Sequence, residues 1–318
     1  MDLDNEWSYL KTHGDTGWES FPTYLDVIIP RALSCFKTLG VKAIFFVVGQ
    51  DALIKQNHDS LRQIAGEGHE IGNHSFSHEP WLHLYPIQKV EEEIEKAENA
   101  IQKATGILPV GFRGPGFSIS PDVLRVLARR GYLFDASTLP SFLGPLGRAY
   151  YFMRSQLDHA QRRQREMLFG SLKDCLNPID PYLWQFDDAT LLEIPVTTIP
   201  GLRIPFHLSY VLYLSTFSPR AATAYFRLAL LLCRLTGTEP SILMHPLDLL
   251  GSDDISTLGF FPGMNLDSAT KRRRVSEYLT LLQKEFTVLP LGQYARRLRK
   301  RSGLRVRPAS SCSKVEIR

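Results

Sequence analysis

The sequence predicts an α/β protein whose core is a parallel sheet or barrel. Two observations carry that prediction. Runs with helical apolar spacing alternate with short β-branched and aromatic runs along most of the 318 residues. Several of those apolar runs also end abruptly on a polar residue, which is where a βα barrel places its active face.

The elements follow in order. Leu25, Ile28, Ile29, Leu33, Phe36 and Leu39 repeat at the helical period, and Gly40 closes that helix. The run "VKAIFFVVG" is then a strand. "DSLRQIAGEG" reads as a helix, "HEIGNH" as a short strand, and "IQKVEEEIEKAENAIQKATG" as a long charged helix with Val90, Ile94, Ala97 and Ile101 inward. "VGFRG" gives another strand. In "SPDVLRVLARRG", Ser120 is the expected N-cap and Pro121 the first helical residue, and the helix leads into the strand "YLFDAS". Aromatic, Arg-rich sequence over about residues 140–187 breaks the rhythm and reads as an insertion. "LLEIPVTTI", "RAATAYFRLALLLCRLTG", "SILMHP" and "KRRRVSEYLTLLQKEFTVLPL" restore it as strand, helix, strand, and a last helix plus strand. The count is roughly seven βα units. The main body is expected over residues 1–295, followed by a basic, disordered tail over 296–318.

Composition narrows the function classes. Much of the +4 formal charge lies in "ARRLRKRSGLRVR", so the body is near neutral and nucleic-acid binding would rest on that tail alone. Cys35, Cys175, Cys233 and Cys312 form no CxxC pair, which argues against a zinc knuckle or a disulfide framework. The longest apolar run, near "LALLLC", is too short to span a bilayer, and the acidic start has no secretory signal. Reduced thiols and a cytoplasmic location are the expectation if the start is genuine.

The sharpest local signal is "GNHSFSH". His74 and His78 are four apart directly after a strand, a spacing that in a helical turn aims two imidazoles to one side, as one metal ion requires. Two histidines alone are commonplace on a surface or in a core. A carboxylate would strengthen the set, and Asp2 and Asp4 in "DLD" would share one face of an extended strand. Solvated disorder is the bland alternative for both. "GFRGPGFS" offers Arg113 in a rigid turn, "LFDAST" offers Asp135, and "ILMHPLD" offers His245; a surface ion pair, a helix cap and a packed strand end are their ordinary readings. Glu193, Pro195 and His207 read as packed strand ends, while Trp7 and Tyr9 beside "DLD" present rings that could stack on a sugar.

Taken in series, "DLDNE", "HSFSH", "RGPGF", "DAST" and "LMH" resemble the five ordered motifs of the polysaccharide deacetylase family, the NodB-homology carbohydrate esterases. The resemblance runs from Asp2 to His245 and implies a distorted (β/α)7-type barrel. It implies Asp2 as general base, Asp4, His74 and His78 as ligands of a divalent metal such as zinc, and His245 as general acid. Arg113 would hold the base, and Asp135 would orient His245. The commonest family form has two adjacent aspartates, so "DLDN" also admits a register with Asp4 as base and Asn5 as ligand. An anionic oxygen suits a divalent cation better than a neutral amide, which favours Asp2 with Asp4.

The implied activity is removal of N-acetyl groups from an amino sugar in a polysaccharide or glycan precursor, a carbohydrate partner. Hydrolysis of another small or cyclic amide, allantoinase-like, on the same fold is the alternative. An inactive glycan-binding scaffold is the third. Only Met1 precedes Asp2, whereas a core strand runs about five residues, so the true start is expected upstream, with the first strand clipped.

Overall fold

A computed structural model of the chain describes residues 1–144, 175–187 and 189–312. Its centre is a seven-stranded sheet of β1 (Ile44–Val47), β2 (Glu70–Asn73), β3 (Gly111–Phe112), β4 (Phe134–Asp135), β5 (Tyr182–Gln185), β6 (Thr190–Glu193) and β7 (Arg305–Pro308). The order is β1-β2-β3-β4-β6-β5-β7. From β1 to β6 the pairing is parallel, β5 runs antiparallel to β6, and β7 lies parallel to β5. The first four strands and β6 are the apolar runs expected from the sequence, because each is buried on both faces and so lacks a polar alternation.

Register sets the site. Val47 pairs with Asn73, Asn73 with Phe112, Phe112 with Asp135, and Asp135 with Glu193. The residues that follow these strands therefore emerge at one end, among them His74 after β2 and Arg113 after β3. Close strand packing needs glycine at two positions. A Cβ on Gly72 would lie 2.5 Å from the Phe46 ring, and one on Gly111 would lie 2.3 Å from Phe134.

The regular sheet is open, and backbone hydrogen bonds carry the layer round through irregular segments. Thr197 N donates to Ser241 O at 3.1 Å, and Asp2 N donates to Met244 O at 3.0 Å. Leu3 N then donates to Phe46 O and Phe46 N to Met1 O, each at 2.9 Å. This is the distorted βα barrel, with residues 241–245 supplying a partner expected as a regular strand and forming an irregular one. Residues 287–290, also expected as a strand, are irregular. The start of the chain is fixed: Met1 is buried, and its nitrogen donates to Ile44 O at 2.7 Å.

Helices cover the barrel. Those described are α1 (Glu6–His13), α2 (Leu25–Leu39), α3 (Gly49–Leu53), α4 (His58–Gly66), α5 (Ile87–Thr105), α6 (Pro121–Arg129), α7 (Leu208–Phe217), α8 (Pro219–Thr236), α9 (Ser268–Glu285) and α10 (Leu291–Leu298). The start of α6 is as expected, since the Ser120 hydroxyl accepts from Val123 N and Pro121 fills the first turn. Leu25, Ile28, Ile29, Leu33 and Phe36 of α2 enter the main core together with Phe226 and Leu230 of α8 and Tyr278 of α9.

Two sequence expectations change. Over residues 296–312 the expected disordered tail is not observed: α10 runs to Leu298, and Arg305–Pro308 form β7 beside β5, while residues 313–318 lie outside the described residues. Ala295 and Leu298 enter a core cluster with Ile44, Phe46 and Leu192, and full burial of a leucine contributes about 1.5–3 kcal/mol. Arg296 and Arg297 occupy the exposed face of α10, while Arg305 and Arg307 lie on β7, a largely exposed strand with no apolar pattern. Of the insertion expected over 140–187, residues 145–174 lie outside the described residues, and Tyr182–Gln185 joins the sheet as β5.

Candidate active site

Asp4, His74 and His78 converge at the strand ends as three buried groups, with one ligand atom of each lying within 4.8 Å of the others. Asp4 Oδ1 is 3.2 Å from His74 Nε2 and 3.1 Å from His78 Nε2. The helical turn expected between the two histidines is absent. They sit on a loop after β2, where Ser75 (φ 60°) and His78 (φ 49°) adopt left-handed backbone, a conformation uncommon for non-glycine residues and concentrated at functional sites. Docking holds the loop, because Ser75 O accepts from Gly49 N at 2.9 Å and Phe76 O from Gln50 N at 3.0 Å.

The donor set fits a divalent cation. His74 Nδ1 lies 2.6 Å from the carbonyl oxygen of Arg113, which carries no proton, so Nδ1 must donate. Nε2 of the neutral ring then turns a lone pair toward Asp4 Oδ1, and two acceptors at that distance need a proton or a cation between them. Spacings of about 3 Å are also what bonds of about 2 Å to one ion produce. Burial alone would raise the Asp4 pKa, yet the two histidines hold it well below the usual carboxylate range. For His74 burial pulls down, but the Asp4 hydrogen bond and the charges of Asp2 and Asp4 outweigh it and raise the pKa. For His78 burial wins and the pKa falls. Its buried Nδ1 has no partner among the described residues.

Beside this cluster, Arg113 Nη1 donates to Asp2 Oδ1 at 2.7 Å while its Nε donates to Ala136 O at 2.9 Å. The guanidinium also lies over the Phe46 ring, 4.6 Å from its centroid, so the side chain is fixed on three sides. Burial opposes an Asp2 anion, but Arg113, His74 and His245 together lower its pKa. His245 Nε2 lies 3.9 Å from Asp2 Oδ2. Asp2, Arg113, His245, Asp4, His74 and His78 therefore gather in one place.

Asp135 departs from its expected role. Its buried carboxyl takes hydrogen bonds from the Ser137 hydroxyl at 2.6 Å and from Ser137 N at 3.3 Å, and it hydrogen-bonds to Glu193. Burial first, then the Glu193 charge, pushes its pKa well above the ordinary value. The neighbours of His245 are instead Ser209, with Oγ 2.9 Å from Nδ1, and Asp248, whose Oδ2 accepts from His245 N at 2.8 Å. The reason is topological, since Asp135 lies on β4 whereas Ser209 opens α7 next to the segment that carries His245. No motif marked Ser209 or Asp248; the Asp in "HPLD", three residues after His245, was the available clue.

Glu193 is more than a packed strand end, because its carboxylate accepts from Trp184 Nε1 at 2.9 Å and Thr138 N at 3.0 Å. Asn5 is a structural residue. Its Oδ1 caps α1 by accepting from Glu6 N, and its Nδ2 donates to Thr23 Oγ1 and Asp51 Oδ1, so Asp4 and not Asn5 joins the histidines. Trp7 is buried, with Nε1 donating to Asp51 Oδ1 at 2.8 Å, and offers no open face to a sugar. Tyr9 packs edge-on against Phe261. His207 caps α7 by accepting from Tyr210 N, and its ring meets His245 edge-on. Burial, followed by the His245 charge, drives its pKa down to about 3.

A barrel with a buried His/His/Asp cluster at its strand ends defines a candidate metal-centred site. The polysaccharide deacetylase family model matches residues 15–134, which include His74, His78 and Arg113. It is 28% identical over 170 residues to a peptidoglycan deacetylase of Helicobacter pylori, a match covering 51% of this chain and 55% of that protein. It is 33% identical over 96 residues to the peptidoglycan-N-acetylglucosamine deacetylase PgdA of Listeria monocytogenes, covering 30% of this chain and 20% of that one. The chain thus spans about half or less of the length of these curated relatives. A crystal structure from Mycobacterium smegmatis, provisionally named a polysaccharide deacetylase, shares 21% identity. It superposes with a TM-score of 0.63 over 100% of this chain and 93% of that one, which supports the barrel fold.

Proposed function

We propose that the protein hydrolyses the acetamide of an N-acetylated amino sugar in a glycan, as a zinc-type hydrolase. The observation that carries this reading is the convergence of an Arg-held carboxylate, a histidine and a His/His/Asp cluster within one buried site. A divalent ion held by Asp4, His74 and His78 would polarise the acetamide carbonyl and acidify the attacking water. Asp2, kept ionised by Arg113, takes the proton of that water. His245 in its protonated form delivers a proton from Nε2 to the departing amine, which leaves poorly without one. Arg113 reserves Asp2 for the base role by fixing one carboxylate oxygen and leaving Oδ2 toward His245. The names of the Helicobacter and Listeria relatives support peptidoglycan as the first glycan to try.

The test is acetate release from N-acetylglucosamine oligomers and peptidoglycan fragments, with protein stripped of metal and then reconstituted with zinc, cobalt or manganese. Release is expected only after reconstitution. A reconstituted protein that frees no acetate from any N-acetylated sugar would sink the reading, and turnover of a cyclic amide alone would transfer the site to the other hydrolase class.

A further inference from the structure

We propose that Ser209 and Asp248 are positioning residues that fix the proton on Nδ1 of His245, so that Nε2 is the nitrogen that exchanges protons in the cleft. The inference rests on the acid role given to His245 above, and neither residue belongs to the five motifs that suggested that role.

The geometry is a relay folded back on itself. His245 ends an irregular segment and is followed by the tight turn Pro246–Asp248, which returns the Asp248 carboxylate to the histidine's own backbone: His245 N donates to Asp248 Oδ2 at 2.8 Å. From the neighbouring α7, Ser209 places its Oγ 2.9 Å from His245 Nδ1, and the same hydroxyl is hydrogen-bonded to Asp248. A hydroxyl has one hydrogen and two acceptor lone pairs, whereas an ionised carboxylate only accepts. Burial raises the Asp248 pKa, opposed by the His245 charge, the His245 N–H and Ser209; against the ionised carboxylate, Ser209 gives its hydrogen to Asp248 and accepts from Nδ1–H.

Proton bookkeeping follows. In the cationic ring both nitrogens carry hydrogen. When the leaving amine takes the proton from Nε2, the N–H bonding pair returns to Nε2, and the neutral ring retains Nδ1–H against Ser209. The reactive nitrogen is then the one facing Asp2 Oδ2, 3.9 Å away. Among the described residues, the charged and titratable groups around the ring are Asp2 and His207, together with Asp248. Lys271 lies behind Asp248; its buried ammonium donates to Leu247 O at 2.7 Å and bears on the Asp248 charge.

Two readouts on the full-length protein test the proposal. In protein labelled with 15N-histidine and assigned with a His245→Gln variant, the neutral His245 ring should be the Nδ1–H tautomer, and Ser209→Ala should mix in the other form. In acetate release, Ser209→Ala should lower kcat roughly 10–100-fold, the span of an imperfectly oriented proton donor, with KM within about twofold. Ser209→Thr, which keeps the hydroxyl, should restore most of that loss, a rescue a packing role would not show. Asp248→Asn also weakens the turn, so it is read only where its unfolding midpoint and metal content match the wild type, and there it should repeat the kcat loss. An Nε2–H ring in the wild type, a tautomer unmoved by Ser209→Ala, or an unchanged kcat overturns the proposal. If the wild type hydrolyses no acetamide, the function proposed above fails, while the tautomer measurement still decides this inference.

Discussion

Two pairs of buried acids differ in what they face. Asp2 and Asp4 meet an arginine and three histidines, and both carboxyls are held below the ordinary pKa of 3.8. Asp135 and Glu193, side by side on β4 and β6, meet each other, and Asp135 is pushed well above that value. Burial acts in the same direction on Asp2, Asp4 and Asp135, raising the carboxyl each time, so the partner decides the outcome. The first arrangement keeps anions available for chemistry. The second favours the neutral form of Asp135 inside the wall of the barrel, where Ser137, Trp184 and Thr138 use the oxygens as structural acceptors.

The comparison breaks most visibly at the metal cluster. Asp4→Asn or His74→Ala should lower acetate release at least ~10³-fold and strip the metal, because the remaining donors leave one ligand position unfilled. Metal content by elemental analysis should fall with activity, while Asp135→Asn keeps its full complement. Equal metal content in both variants would erase the distinction between the two pairs.

Arg113→Ala tests the cation that separates them. Arg113 is 1% exposed, and removing one member of a buried ion pair costs about 3–5 kcal/mol because the surviving charge is stranded. Chemical denaturation should show that loss at pH 7. Recovery is expected as the pH falls low enough to neutralise Asp2. A variant as stable as the wild type at pH 7 would mean that Arg113 does not hold the Asp2 anion.

What was legible in the sequence follows the reach of local physics. β1 to β4, β6, the Ser120–Pro121 helix start and the His74/His78 pair are each written within a few neighbouring residues. His245 was legible because an apolar run stops on it. Ser209 was not, since it reaches His245 only after α7 packs back across 36 positions of sequence, within an apolar stretch that showed no helical face. β7 escaped notice because it is largely exposed and carries no apolar pattern, and β5 because its Tyr182 and Trp184 lie in the stretch read as an insertion. Asp135 looked like a partner of His245 because both end strand-forming runs; which strand ends meet is set by the order of strands in the barrel.

The smallest expected effects lie in the acid pair, and they differ between its members. Glu193 uses both oxygens, one for Trp184 Nε1 and one for Thr138 N, so Glu193→Gln must turn an amide against one of these donors and should cost about 1–3 kcal/mol. Asp135→Asn keeps an acceptor for the Ser137 hydroxyl, gives up only the longer 3.3 Å contact from Ser137 N and offers Glu193 an N–H, so its change at pH 7 should stay within about 1 kcal/mol. Its clearest trace is in pH dependence. With the folded Asp135 pKa raised above 3.8, its contribution is fully present below that pH and is lost as pH rises through the folded value. The wild type should therefore lose stability relative to Asp135→Asn between acid and neutral pH. Asp2 and Asp4, held low, give the opposite slope: their contribution is present above 3.8 and is lost as pH falls through their folded values. Unfolding midpoints measured from pH 4 to 8 that run parallel in wild type and Asp135→Asn would show that Asp135 holds no extra proton, and the two acid pairs would then differ in geometry alone.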